Sequence, residues 1–333
     1  MIGKGLRILA CSLLGLFALG ALRAQTPDAF AQARRLGKGV NIIGYDPIWE
    51  SFEKGRFQDK HFALLKEGGF HSVRINLHAF KHMDAAGKLD AKWFKTLDWA
   101  VEKALVNDLA VIVDLHNFVE MAQDPVSLKP KFLAFWKQVA PHFKNAPGAV
   151  MFEILNEPNG GLTPELWAQY WKEALAIIRE SNPTRTVIIG PGFWNSIAHL
   201  DELKLPEQDR NLIVTVHYYL PMEFTHQGAP WAKEFTALSG VKWGTQAEKA
   251  KVAADFAPAA EWSKQHQRPI LLGEFGAYDK GDMASRAAYT THVARTAEAL
   301  GWAWAYWQFD SDFILYNIDK DQWTEPIRKA LAP

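Results

Sequence analysis

Eight short apolar runs recur along the chain, and helical stretches fill most of the intervals between them. The runs are Gly39–Ile43, His71–Leu77, Leu109–His116, Ala149–Leu155, Thr186–Gly190, Leu212–His217, Pro269–Gly273 and Trp302–Gln308. A strand with one wet face alternates apolar and polar residues. Continuous runs imply strands covered on both faces, as in a parallel sheet flanked by helices. Helical spacing follows at Lys60–Glu67, closed by Gly68-Gly69, and at Trp93–Asn107, Pro130–Phe143, Lys249–Gln265 and Ser285–Leu300. Thr163 to Glu180 is another helix, with Thr163 as its cap and Pro164 as its first residue. Strand–helix units repeated eight times in about 300 residues predict a single-domain α/β fold, the (β/α)8 TIM barrel. A doubly wound sheet is the competing arrangement. No Gly-x-Gly-x-x-Gly or P-loop motif follows any strand to favour it. A last short helix is expected over Gln322–Leu331, and a long loop over Leu220–Thr245.

The first residues have a different character. Lys4 and Arg7 precede an apolar run from Ile8 to Leu22, and Ala24-Gln25 follows. This reads as a secretory signal over residues 1–24, leaving 25–333 as the barrel domain. A membrane anchor is the other reading, for which the run is short. Cys11, the only cysteine, lies inside the run, so cleavage would leave none. Thr26 to Lys38, with Phe30, Ala33 and Leu36, is expected to pack as a cap under the domain. Lysine plus arginine balances aspartate plus glutamate at 37 each, and no basic block is interleaved with aromatics. A nucleic-acid partner is therefore not expected.

Two of the apolar runs end in a glutamate. Met151-Phe-Glu-Ile-Leu-Asn-Glu-Pro158 presents Asn156 and Glu157 at a strand's carboxyl end, where Pro158 stops the ladder. Pro269-Ile-Leu-Leu-Gly-Glu274 does the same for Glu274. Paired carboxylates are what acid/base cleavage of a glycosidic bond requires. In a barrel of this kind the site forms at the carboxyl ends of the strands. Asn41, Arg74, His116, Asn117, Asn156, Glu157, His217, Tyr219, Glu274 and Trp307 all fall at or near such ends. Arg74 lies inside its strand, either on an exposed face or turned inward onto a carboxylate, since a lone buried arginine is costly. Fourteen tryptophans are present. As a set, Trp49, Trp194, Trp231, Trp243 and Trp307 suggest platforms for flat apolar faces such as sugar rings.

Asn156-Glu157-Pro158, His217-x-Tyr219, Gly273-Glu274-Phe275-Gly276 and Trp307, in this order, resemble glycoside hydrolase family 5, the cellulase family of clan A. The likeness spans about Ala33 to Leu331. His217-Tyr-Tyr with Phe224-Thr-His-Gln-Gly-Ala-Pro-Trp231 is similar to bacterial endoglucanases of that family, some of which also cut mannan. The resemblance implies Glu274 as nucleophile and Glu157 as general acid and then base. It implies Asn156 on the sugar 2-hydroxyl, and Arg74 and Tyr219 orienting Glu274. His116 and His217 would line the cleavage subsite, with His217 near Glu157. Trp307 would stack under the sugar, ahead of a cis peptide. Asn41, His226 and Trp231 would be substrate contacts. Relatives often carry an aromatic or a second histidine where this chain has Asn117, so glucan and mannan both remain open.

The expected protein is a secreted, monomeric endo-β-1,4-glucanase acting with retention of configuration on a β-glucan substrate. It would have neither metal nor cofactor, and no stable membrane contact after signal cleavage. Mannanase and xyloglucanase remain alternatives. A metal-dependent barrel lacks a His-x-His at strand one, and a chitinase-type barrel lacks Asp-x-Asp-x-Glu at strand four. A non-catalytic sugar-binding barrel would normally have lost one of the two glutamates.

Overall fold

The computed structural model describes residues 28–333. The signal-peptide reading of residues 1–24 lies outside the described residues. Eight parallel strands close in sequential order into a barrel: β1 Lys38–Ile42, β2 Ser72–Leu77, β3 Ala110–Leu115, β4 Val150–Glu153, β5 Val187–Ile189, β6 Leu212–Tyr218, β7 Ile270–Phe275 and β8 Ala303–Tyr306. Helices Asp59–Glu67, Ala91–Val106, Pro125–His142, Pro164–Ser181, Gln246–His266 and Met283–Ala299 cover the outside. Thr163 caps its helix as its sequence position implies, with Pro164 next. The β5–β6 crossover departs from the eightfold pattern. It carries only a short turn at Gly192–Asn195 and a 3-10 segment at Ile197–Glu202. The final helix begins at Glu325, not Gln322, because Gln322-Trp323 pairs antiparallel with Tyr316-Asn317. Among the described residues no helix is long and apolar enough to cross a membrane.

The strands look uniformly apolar in sequence, but their two faces have different tasks. Outward residues such as Val73, Ile75, Val111, Val113 and Phe152 join the large core beneath the helices. Inward residues build layers. The lowest holds Ala110, Ile112, Met151, Ile188, Ile213, Leu271 and Ala303. The helix Ala29–Leu36 closes this end with Ala29, Ala33 and Leu36, as a cap under the domain should. Phe30 does not share that packing; it is 41% exposed on the helix's outer face. Above the apolar layer come buried polar residues: Asn41, Arg74, Asn76, Asp114, Glu153 and Thr215.

A bulge at Gly273 then determines what reaches the mouth. Thr215 pairs with Leu271 and Val216 with Leu272, but His217 pairs with Glu274, leaving Gly273 unmatched. In a regular strand Gly273 would take the inward place opposite His217 and alternation would turn Glu274 outward. A Cβ at Gly273 would lie 2.4 Å from Thr215 Oγ1 and 2.9 Å from His217 Nε2, so only glycine fits.

Candidate active site

Arg74 organises the site from below. Its side chain is fully buried, and its five N–H groups are all used. Nε donates to Glu153 Oε2 at 2.7 Å, and Nη2 to Glu153 Oε1 and Asn156 Oδ1, both at 2.8 Å. Nη1 donates to Asn41 Oδ1 and Glu274 Oε1, both at 2.8 Å. Asp114 Oδ2 lies 3.2 Å from Nη2. The inward reading of Arg74 therefore holds, and its role is to hold Glu274 rather than to touch a sugar.

Glu274 sits among donors. Tyr219 Oη donates to its Oε2 at 3.0 Å, and His217 Nδ1 lies 3.7 Å from the same oxygen. Glu157 comes from the loop after β4, beyond the strand end and in the left-handed region at φ 42°. Asn159 Nδ2 donates to its main-chain oxygen at 2.7 Å, which supports that conformation. His217 Nδ1 is 2.8 Å from Glu157 Oε1. One carboxylate oxygen of each glutamate and one His217 nitrogen all lie within 4.8 Å of one another. Carboxyl groups that close match the spacing of about 5–5.5 Å for retaining cleavage, not the 6.5–9.5 Å that leaves room for a water.

Burial and charge separate the two acids. Burial pushes Glu157 up to about 8; Arg74 opposes this, while Asp114 and Glu153 reinforce it. Burial also raises Glu274, to about 7, with His217 and Arg74 drawing it back and Glu157 adding to the rise. The two carboxyls share one charge as a coupled pair, and the donors Arg74 and Tyr219 on Glu274 favour placing it there, with the proton on Glu157. Cleavage rate should rise with pH as the pair loses its first proton and fall as it loses the second. A bell-shaped kcat/KM profile with its alkaline limb near 8 is the expected result. A profile with no alkaline limb would remove Glu157 as the acid.

The remaining positions divide. His116 Nδ1 lies 2.6 Å from Asp114 Oδ2, and Asn156 Nδ2 lies 3.3 Å from His116 Nε2. Burial holds His116 well below its usual range, so it stays neutral and orients Asn156. Trp307 lies nearly parallel to the His116 ring at 9°, with centroids 5.4 Å apart, and its bond to Gln308 is cis. Asn41 is fully buried and engaged at both ends. Its Nδ2 donates to Gly273 O at 3.0 Å, its Oδ1 accepts from Arg74, and it supports the bulge rather than a ligand. Asn117 is likewise engaged by protein, accepting from Phe80 N and donating to Glu120 Oε1. His226 packs edge-on against Tyr219 at 5.1 Å and bonds Thr225, so it buttresses the tyrosine.

The tryptophans also sort themselves. Trp49 and Trp243 are core residues; Trp49 Nε1 donates to Ile43 O, and Trp243 packs on Tyr289. Trp194 and Trp231 are half exposed, at 52% and 50%, and remain available as platforms. The sequence reading missed Asp114, Glu153, Asn76 and Asn195. For Asp114, Glu153 and Asn76 the available signal was a carboxylate or amide within an otherwise apolar strand; Asn195, in the turn after β5, carried none. Glu157, His217 and Glu274 also form, among the described residues, the set whose donor atoms could meet on a cation. Arg74 already supplies Glu274 with a positive charge.

Comparisons with known proteins agree with this geometry. The family model for cellulase (glycosyl hydrolase family 5) matches residues 35–312. Cel5A of Thermotoga maritima, solved with cellobiose, is 40% identical with a TM-score of 0.87, covering 91% of this chain and 100% of that one. The same enzyme has been solved with mannotriose, at 39% identity and the same TM-score over 91% and 100% of the two chains. Endoglucanase H of Acetivibrio thermocellus is 30% identical over 91% of this chain and 33% of its own length. This chain thus spans about a third of that relative, and 52% of endoglucanase 3 of Fibrobacter succinogenes, which is 27% identical over 89% of this chain.

Proposed function

The chain belongs to glycoside hydrolase family 5, and from that premise we propose that it is a retaining endo-β-1,4-glucanase cutting cellulose or mixed-linkage β-glucan. The observation that carries the reading is the Glu157–Glu274 carboxylate pair, within 4.8 Å at the mouth of the barrel. Glu274, held ionised by Arg74 and Tyr219, attacks the anomeric carbon while Glu157 protonates the departing oxygen. The charge on Glu274 is then consumed in the covalent bond, so the pKa of Glu157 falls. Glu157 next takes a proton from the water that releases the sugar. Asn156 keeps an amide N–H for the 2-hydroxyl, and Trp307 offers its face to the ring.

A second reading keeps the mechanism and moves the substrate to mannan. It is supported by the mannotriose complex of a relative at 39% identity. Asn117, engaged with Phe80 and Glu120, offers no obvious discrimination at C2. The non-catalytic alternative fits poorly with two intact glutamates in bonding positions. Export after cleavage near Ala24 and action as a monomer complete the proposal.

Reducing-sugar release from carboxymethylcellulose, mixed-linkage glucan, xyloglucan and mannan, run in parallel, tests the substrate. Glucan should be cut fastest, the first product should be the β-anomer by proton NMR, and Glu157→Gln should abolish release. Faster release from mannan or xyloglucan would replace the substrate. An α-anomeric first product would overturn retention.

A further inference from the structure

The segment after β5 has a backbone that its sequence does not announce. Phe193, Trp194 and Asn195 all adopt left-handed conformations, at φ 54°, 59° and 55°. Aromatic residues rarely go there, and holding Phe193 and Trp194 so costs about 1–3 kcal/mol each, which the surroundings must offset. Two contacts show where the segment is tied. Trp194 N donates to Pro158 O at 3.2 Å, joining it to the residue after Glu157. Asn195, fully buried, places its Nδ2 3.2 Å from His217 Nε2. Gly190 makes the space for this amide, because a Cβ there would lie 2.0 Å from Asn195 Oδ1.

An amide nitrogen can only donate. His217 Nε2 must then accept, and the ring proton of a neutral His217 lies on Nδ1, facing Glu157 Oε1 at 2.8 Å. The charged groups around the ring are Glu157 from the β4 loop, Glu274 from β7 at 3.7 Å, and Arg74, Asp114 and Glu153 from the buried layer below. Burial draws His217 below its usual range, so it remains neutral.

We propose that Asn195 is a positioning residue for proton delivery: by donating to His217 Nε2 it fixes the Nδ1–H tautomer, which occupies Glu157 Oε1 and leaves the acid proton on Oε2. In the other tautomer Nδ1 would be a bare acceptor. Glu157 would then donate its proton to the histidine, and the leaving group would depart unprotonated. The strained turn is the device that carries the amide under the ring. This inference rests on the acid role of Glu157.

Two measurements test it. Histidine-selective 15N NMR, with the His217 signal assigned by its loss in His217→Ala, reads the tautomer without substrate. The wild type should carry its proton on Nδ1; a ring protonated on Nε2 overturns the proposal. The second compares Asn195→Gly, which tolerates the left-handed backbone, and Asn195→Asp, which is isosteric, on aryl β-cellobiosides of graded leaving-group ability. A dinitrophenyl group departs without a proton. Both variants should therefore keep kcat/KM within about threefold on it and lose about tenfold or more on a methylphenyl group, a part of the roughly 10²–10⁴-fold that general-acid catalysis typically supplies. An equal loss on both substrates assigns Asn195 a merely structural role and overturns the proposal. Unchanged rates on both do the same. A wild type inert on every cellobioside would count against the glucanase reading, while the ring proton would still decide the role of Asn195.

Discussion

Glu274→Ala is expected to lose on the order of 10⁵-fold in kcat/KM, the scale seen when a covalent nucleophile is removed. The fold should survive. Arg74 would still hold Glu153 at 2.7–2.8 Å and Asp114 at 3.2 Å, so no buried cation is left alone. Circular dichroism and a thermal melt within a few degrees of wild type would establish that. The chemistry then offers a sharper readout than loss of rate. The side-chain space vacated below the anomeric carbon can admit azide, and with a dinitrophenyl β-cellobioside azide should restore turnover. Its attack comes from the face Glu274 occupied, so the product should be the α-glycosyl azide. Glu157→Ala should respond differently. Its covalent intermediate still forms on the activated substrate, and azide entering from the opposite face gives the β-azide. If the two variants gave the opposite anomers, the roles of the glutamates would be exchanged. Residual hydrolysis by Glu274→Ala near the wild-type rate would remove it as the nucleophile.

The strand count and the two glutamates were legible because each rests on local chemistry. Covered strands must be apolar, and a carboxylate at a strand's end stands out against such a run. What stayed hidden depends on which face a residue takes. Gly273 reads as an ordinary small residue before Glu274, yet it is the bulge that turns Glu274 inward. Asp114 and Glu153 pass as single polar interruptions of β3 and β4. Only the pairing of β2, β3 and β4 on the barrel's inner face brings them to Arg74. Asn41 and Asn117 carry the right residue types at the right ends. The burial that commits their amides to protein partners is a tertiary property. Asn195 had no local signal, because left-handed aromatic neighbours run against intrinsic preference and are imposed by packing. Phe30 shows the reverse error. Its place in an amphipathic segment suggested burial, but the helix Ala29–Leu36 needs only small residues and Leu36 to close the barrel floor.

Arg74→Leu tests the buried layer as a unit and should be the most destabilising single change in the molecule. One guanidinium faces Asp114, Glu153 and Glu274, and all three carboxyls are raised by burial even with Arg74 present. Removing it leaves buried carboxylates without their cation, a change that typically costs about 3–5 kcal/mol. The loss should depend on pH, and its direction follows from linkage. Without Arg74 the folded-state pKa values of these carboxyls rise further above their unfolded values. A carboxyl so raised favours the folded state below its unfolded pKa, and that advantage is lost as pH climbs through the folded pKa. The variant should therefore be weakest at pH 7 and above, and should recover part of its deficit towards pH 5, where the buried acids bind protons and become neutral. Chemical denaturation of both proteins across that interval would measure it. A deficit that is constant with pH would mean that lost packing, rather than unpaired charge, dominates. A deficit that grew towards pH 5 would contradict the charge assignment of the layer. Arg74→Lys would separate charge from geometry. It restores one cation but cannot reproduce the five-point fork, so stability should return in part while Glu274 loses its fixed orientation and kcat stays low.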